Sequence, residues 1–328
     1  MSAWNPFSSN AFELISLTSA INKLPFTPTR LAELGLFEEA GVTTLDVAVE
    51  ELNGALQLIP AVARNAPGTP INRDLRAVRS IRCPHIPATG AVLADEVQNV
   101  RAFGSETLAE TVQNRINSTL AKGRRSIDYT IETHRVAAIM GNYYNSNGST
   151  TSLYTEFGVA QQTIGMVLLT TTTDERKKCF EIFKAIKAGL GGIPYRGVRV
   201  LCGDTFWSSL IGHDYINKTY LNSQDNGAMR GDPTTSFNWG GITWEWYNGT
   251  TDCKIADTEA YAIPIGVGGM FLTRYAPAPY METVNTNGLP YYAKSEMMDF
   301  GKGAELEMQS NPLSICTLPR AVIKLTET

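Results

Sequence analysis

Histidine, cysteine and surplus charge of either sign are scarce in this chain, and each shortage excludes a class of function. The three histidines (His85, His134, His213) stand too far apart for a local metal motif. The five cysteines (Cys83, Cys179, Cys202, Cys253, Cys316) are odd in number, scattered, and show no CxxC spacing. That argues against a zinc site and against a disulfide framework, and leaves buried, reduced thiols as the expectation. Net charge is −4, from 28 Lys and Arg against 32 Asp and Glu, without the basic excess of a dedicated nucleic-acid binder. The most apolar run, Tyr261 to Thr273, carries Pro264 and three glycines and falls short of the about 20 residues a bilayer span needs. Met1 to Asn10 has neither a basic region nor an apolar block, so no signal peptide is expected and the chain reads as soluble and made in the cytoplasm.

Catalytic signatures are missing as well. No GxxxxGK[ST] loop, GxSxG elbow or HExxH appears, and Gly189-Leu-Gly-Gly192 lacks the lysine and preceding strand of a phosphate loop, so it reads as a helix stop. His213-Asp214 is the one adjacent acid–base pair, but His213 falls at the expected end of a helix, where a histidine meets the last carbonyls. No catalytic residue, cofactor or metal site is expected. The aromatic cluster Trp239, Trp244, Trp246 and Tyr247 has two readings: alternating core side chains on a strand, or a sugar-stacking platform.

What is present is 328 residues, 43% hydrophobic and 18% charged, enough for one large domain or two medium ones. Asn10 to Leu24 reads as a short amphipathic helix with Leu14, Leu17, Ile21 and Leu24 on one side, broken by Pro25 and Pro28. Leu31 to Glu51 holds Glu33, Glu38, Glu39, Asp46, Glu50 and Glu51 and no basic residue. The sign then reverses: Arg64, Arg73, Arg76, Arg79 and Arg82 face a lone Asp74. Ala55–Arg64 and Ile71–Ile81 read as two strands around the turn chemistry of Asn65-Ala-Pro-Gly-Thr-Pro70. Such a ribbon is marginal by itself and needs a partner.

Ser105 to Met140 reads as one long helix, capped by Ser105, with a narrow stripe of Leu108, Val112, Ile116 and Leu120 continued by Ile127 and Ile131. The stripe suits a helix lying along one surface rather than in a core, with Gly123 as an interruption. Thr173 begins a second helix carrying Phe180, Phe183, Ile186 and Leu190. A buried strand, Arg196–Cys202, a helix, Asp204–His213, and the aromatic strand Phe237–Tyr247 follow. The tail, Gly303–Ser310 through Arg320–Leu325, reads as paired strands that finish the first domain. A long arm and a long spine bury little alone, so they present surfaces awaiting copies of the same chain.

In order and length these segments resemble the lambda-type major capsid proteins of tailed bacteriophages, the phage major capsid protein E family, over nearly the whole chain. The match is carried by the hairpin Leu52–Ile86, the helix Ser105–Met140 and Val198–Ile211. Ile263–Met270 leading to Tyr275–Tyr280, and Gly303–Leu313, complete it. The resemblance implies an α+β tailed-phage capsid fold: an N-terminal arm (1–51), an extended β-hairpin loop (52–88), a peripheral domain (89–172 and 277–328) with the spine helix 105–140, and an axial domain (173–276). It implies a structural protein, not an enzyme. Pentamers and hexamers would build an icosahedral head around double-stranded DNA, held without sequence-specific contacts. Assembly would take place in the host cytoplasm, the chain ending in the virion. Implied partners are further copies of itself, a separate scaffolding protein, a portal and a decoration protein, and no membrane. Inter-subunit contacts fall to Arg64, Arg73, Arg76, Arg79 and Arg82, with Glu33, Glu38, Glu39, Glu50 and Glu51 as acidic partners on a neighbour. No lysine lies between Lys23 and Lys122, so the hairpin cannot supply one for an isopeptide weld. The alternative reading is a carbohydrate-binding or other phage structural (tail) protein using Trp239, Trp244 and Trp246.

Overall fold

The computed structural model describes residues 14–23, 29–51, 77–97, 112–169, 175–214, 216, 235–250 and 252–328. In chain order the elements are α1 (Leu14–Lys23), α2 (Arg30–Glu33), β1 (Glu38–Gly41), β2 (Asp46–Glu51), β3 (Ala77–Arg82), β4 (Ile86–Leu93), α3 (Ala94–Val97) and α4 (Val112–Ile139). There follow β5 (Asn142–Tyr144), β6 (Thr150–Ser152), α5 (Leu153–Phe157), β7 (Gln162–Gly165), α6 (Glu175–Leu190), β8 (Gly197–Cys202) and α7 (Asp204–Gly212). The last are β9 (Ser236–Trp239), β10 (Ile242–Trp246), β11 (Glu259–Ile265), β12 (Phe271–Tyr275), β13 (Tyr292–Met297), β14 (Gly303–Ser310), β15 (Pro312–Cys316) and β16 (Ile323–Thr326). The mixture of helices with mostly antiparallel sheets is α+β.

The largest sheet has the order β7-β16-β11-β8-β10-β9. Its central strands are apolar without alternation, as a sheet covered on both faces requires: β11 is buried from Ala260 to Ile263 and β8 buries Val198, Val200, Leu201 and Cys202. α6 packs on it through Cys179, Ile182, Ile186 and Leu190, and α7 through Phe206, Trp207 and Leu210. The β9–β10 hairpin closes through Gly240 and Gly241, both at positive φ (63° and 79°). A two-residue turn with the strand twist demands that conformation at both positions.

A second layer is the sheet β13-β14-β4. It encloses a separate core with Leu17 and Ile21 of α1 and with Ile116, Leu120, Ile127 and Ile131 of α4. Val136, Ala138 and Ile139 at the other end of α4 belong to the larger core, so one helix of about 42 Å ties both together. Gly123 does not interrupt α4, which is continuous; a Cβ there would lie 2.3 Å from the Met308 sulfur. The glycine lets β14 approach the helix.

Several expectations are corrected. α4 is not confined to one surface: from Ile131 onward nearly every residue is buried, because two cores meet there. The buried row of α6 is Glu175, Cys179, Ile182, Ile186 and Leu190; of the expected row, Ile186 and Leu190 are buried and Phe183 packs against the core, while Phe180 is 70% exposed. The tail does not all join the first domain, since β16 pairs with β11 and β7 in the large sheet. Conversely β12, expected within 173–276, pairs with β1 and β15. The arginine strand β3 pairs with the acidic strand β2, so the ribbon begins at Asp46 rather than Leu52. The expected strand Ala55–Arg64, the turn at 65–70 and residues 105–111 of the spine lie outside the described residues.

Candidate functional site

Among the described residues the histidines and cysteines are mostly enclosed. His213 is buried at the C-cap of α7 with its Nε2 3.9 Å from the Glu175 carboxylate, while Asp214 is exposed. His134 is buried and stacked on Tyr144, and burial holds it down at about 4, so the ring is neutral at pH 7. The five cysteines are all buried and unbridged. Burial pushes the Cys83, Cys179 and Cys316 thiols up to about 12, far from the thiolate a nucleophile needs. Among the described residues no three His, Cys, Asp or Glu groups gather as a metal site, and no helix is long and apolar enough to cross a membrane.

The tryptophans are core. Trp244 is fully buried and its indole N–H donates to the Trp239 carbonyl at 3.1 Å. Trp239 is buried and Trp246, half-buried, donates to Asp204 at 2.7 Å. A sugar-stacking platform needs open ring faces, and of the three only Trp246 is more than 8% exposed.

The informative site is the charged region where the acidic segment meets the arginines. Across the β2–β3 ladder, Asp46 stands opposite Arg82 and Val49 opposite Arg79; opposite charges in register support strand pairing. Arg79 reaches within the same chain to Glu156 at 2.9 Å and lies over the Phe157 ring, which anchors the base of the ribbon to α5. Arg64, Arg73 and Arg76 lie outside the described residues. Glu50 and Glu51 stand opposite Val78 and Ala77 in the ladder, and their side-chain contacts lie outside the described set.

The other acidic candidates are engaged internally. Glu33 pairs with Arg30 at 3.1 Å and Glu38 with Arg274 at 3.2 Å, all at the surface or near it. Glu39 is different: it pairs with the buried Arg135 of α4 and accepts from the Tyr275 hydroxyl at 3.0 Å. Arg135 also lies over the Phe37 ring at 5.4 Å. Beside it, Arg124 donates to the Ile21 carbonyl, sits 4.5 Å over the Tyr291 ring and lies 3.8 Å from Asp128, to which Tyr291 donates. These groups line a cavity of about 320 Å³ between α1, α4 and β12. Burial, with the neighbouring carboxylates adding, pushes the Tyr275 and Tyr291 phenols up, so both remain donors. A second joint, Glu245 held by Arg30 and Arg199, ties α2 to the large sheet.

Within the subunit Glu39 therefore supplies the counter-charge of the buried Arg135. Glu39→Gln leaves the Arg135 charge buried without its counter-charge and is expected to cost about 2 kcal/mol, below the 3–5 kcal/mol of a fully buried pair because Glu39 is half exposed. Glu38→Gln, at an exposed pair, is expected to cost about 0.5 kcal/mol or less. Urea unfolding of the unassembled subunit separates the two; equal stabilities would return Glu39 to the list of inter-subunit candidates.

The internal charges on α4 were missed, yet their signal is in the sequence. The apolar row Ile116, Leu120 continues at the same four-residue step as Arg124, Asp128 and Glu132, all buried. A charged continuation of a buried row means internal pairing, since an unpaired buried charge is too costly. Glu132 meets that demand by accepting from the Leu31 N–H at 2.8 Å and the Tyr247 hydroxyl at 3.0 Å. Glu245, a lone acid between Trp244 and Trp246, carried the same message.

A family model described as phage major capsid protein E matches residues 13–327. The major capsid protein of Salmonella phage Felix O1 is 25% identical, covering 95% of each chain. Among solved structures, a prophage protein of E. coli CFT073 assigned to the capsid superposes with a TM-score of 0.63 at 15% identity, covering 96% of this chain and 99% of that one. The capsid structure of cyanophage P-SCSP1u gives a TM-score of 0.51 at 12% identity over 89% of this chain and 86% of that one.

Proposed function

This chain belongs to the phage major capsid protein E family, and from that premise we propose that its copies close as pentamers and hexamers into an icosahedral head around double-stranded DNA. It is a structural capsid protein of a phage virion. The shell forms in the host cytoplasm, with a scaffolding protein and a portal acting in assembly and a decoration protein on the finished surface.

One observation carries the reading at the level of geometry. β2 and β3 form a two-stranded sheet joined to no third strand among the described residues, and residues 52–76 run between its last cross-strand partners, Glu51 and Ala77. A ribbon of that kind is marginal in water and gains its stability from a surface it lies on. Its described base finds that surface on its own subunit, where Val47, Val49 and Ile81 join the large core; for residues 52–76 we assign it to a neighbouring subunit. Arg64, Arg73 and Arg76 belong to this segment and remain the inter-subunit candidates, together with the exposed Arg82; Arg79 anchors the base on Glu156, and Glu39 serves Arg135 inside the subunit.

The division into working parts follows the strand pairing. The loop runs from Asp46 to Arg82. The axial part takes in β7 and β16 along with α6 to β11, and the peripheral part takes β4, β13, β14 and most of α4. With no lysine on the loop, the mature shell is held by non-covalent burial.

Electron microscopy of the purified chain, alone and co-expressed with its neighbouring genes, tests the proposal. Closed shells, or rings of five and six copies, are expected. A monodisperse monomer under both conditions would overturn it.

A further inference from the structure

The outer face of α6 is unlike the rest of this mildly acidic chain. Its 16 residues carry five cations (Arg176, Lys177, Lys178, Lys184, Lys187) against two acids. One of those acids, Glu175, is buried beneath the helix, and the other, Glu181, pairs with Lys178 at 3.4 Å at the edge of the face. At about 100° per residue, Arg176, Lys177, Lys184 and Lys187 share an arc of roughly 100° with Phe180 among them. All five are exposed, and the opposite side, from Cys179 to Leu190, is the one packed on the large sheet. From Arg176 to Lys187 the row runs about 16 Å along the axis.

We propose that this face contacts the sugar–phosphate backbone of the packaged DNA and so lies on the inner wall of the shell. The inference rests on the reading of the chain as a DNA-enclosing subunit. A row of cations about 16 Å long spans roughly five phosphates of one strand at 3.4 Å each. The contacts assigned to these cations are to phosphates, which carry no sequence information. An acidic partner helix is the rival occupant, but helix-in-groove docking uses several apolar anchors spaced over the turns, and Phe180 is the one large apolar side chain this face exposes. Three or four phosphate contacts per subunit bind weakly and release readily, as a container wall requires: the polymer must enter and leave.

The experiment is fluorescence anisotropy of the full-length unassembled subunit with a 30-base-pair duplex of mixed sequence, between 50 and 200 mM salt. Polyglutamate serves as the rival probe. Lys184→Glu with Lys187→Glu is compared with wild type and with a charge-matched control on exposed positions of α4, Lys122→Glu with Arg125→Glu. Wild type is expected to bind in the range of about 10⁻⁴ to 10⁻⁶ M. The α6 variant should lose about 2 from the slope of log K against log salt, with the control close to wild type. Equal losses in variant and control would reduce the effect to net charge and overturn the proposal. So would duplex binding unaltered by the α6 changes, or polyglutamate binding lost on α6 reversal while duplex binding persists. Microscopy of the same variants keeps the two readings apart. Normal shells together with unaltered duplex binding sink the α6 assignment alone, whereas absence of shells from wild type under every condition sinks the capsid proposal.

Discussion

Joining Glu51 to Ala77 through a two-residue Gly-Gly or Asn-Gly turn, with residues 52–76 removed, gives a soluble, folded subunit that forms no shells. The design follows from the register: Glu51 and Ala77 are the last partners of the β2–β3 ladder, so a tight turn closes the strands without moving them. The anchors of the ribbon base remain, namely Arg79 on Glu156 and the buried Val47, Val49 and Ile81. Removing Leu52 to Ile86 instead would take away β3 and the start of β4, and with them the pairing of Ile86 with Ser310; that deletion would damage the subunit and its failure would say nothing about assembly. If each loop contributes about 3 kcal/mol to a contact, its loss weakens every association step more than a hundredfold, and a closed shell needs all its contacts at once. Thermal unfolding of the deleted subunit should match wild type while particle yield in sedimentation falls to background. Normal shells from this variant would remove the loop from the assembly mechanism.

The architecture was legible where a segment's pattern answers to its own neighbourhood. α1 shows its apolar side at Leu14, Leu17 and Ile21, and all three are buried. β8 and α7 stand where an apolar run and a terminal histidine placed them, while the stretch read as one aromatic strand is the β9–β10 hairpin. Strand partnership was not legible, because period-two patterns say which strands have a buried side but not which strand lies beside which. Hence β16 reached the large sheet and β12 left it. The charged candidates were read by sign alone, acidic segment against basic segment, and sign does not distinguish a neighbour from the same chain. The structure puts Glu33, Glu38 and Glu39 on Arg30, Arg274 and Arg135. The one quantity that separates these roles is burial of the partner: Arg135 is enclosed and must be neutralised before assembly begins, whereas an arginine kept for a neighbour stays wet until it docks.

Trp244→Ala is expected to destabilise the unassembled subunit by about 4 kcal/mol, the cost of emptying a large enclosed site that relaxes only in part. The residue sits in the middle of β10, opposite Phe237 on β9 and Val200 on β8, with no surface open to water. Its indole N–H is satisfied by the Trp239 carbonyl, so the truncation also leaves a buried acceptor short of its donor. Trp246→Ala, at a half-buried position whose bond to Asp204 is near solvent, should cost about 1 kcal/mol. The order of these effects separates two functions of one motif. Side chains that form a core lose stability in proportion to burial, so Trp244 must far exceed Trp246 in urea unfolding. A carbohydrate platform inverts the order of consequence: its rings stand free, their loss leaves stability nearly intact, and what vanishes is glycan binding. Near-equal and small stability losses, together with wild-type glycan binding that disappears in both variants, would overturn the core assignment and reopen the tail-protein reading.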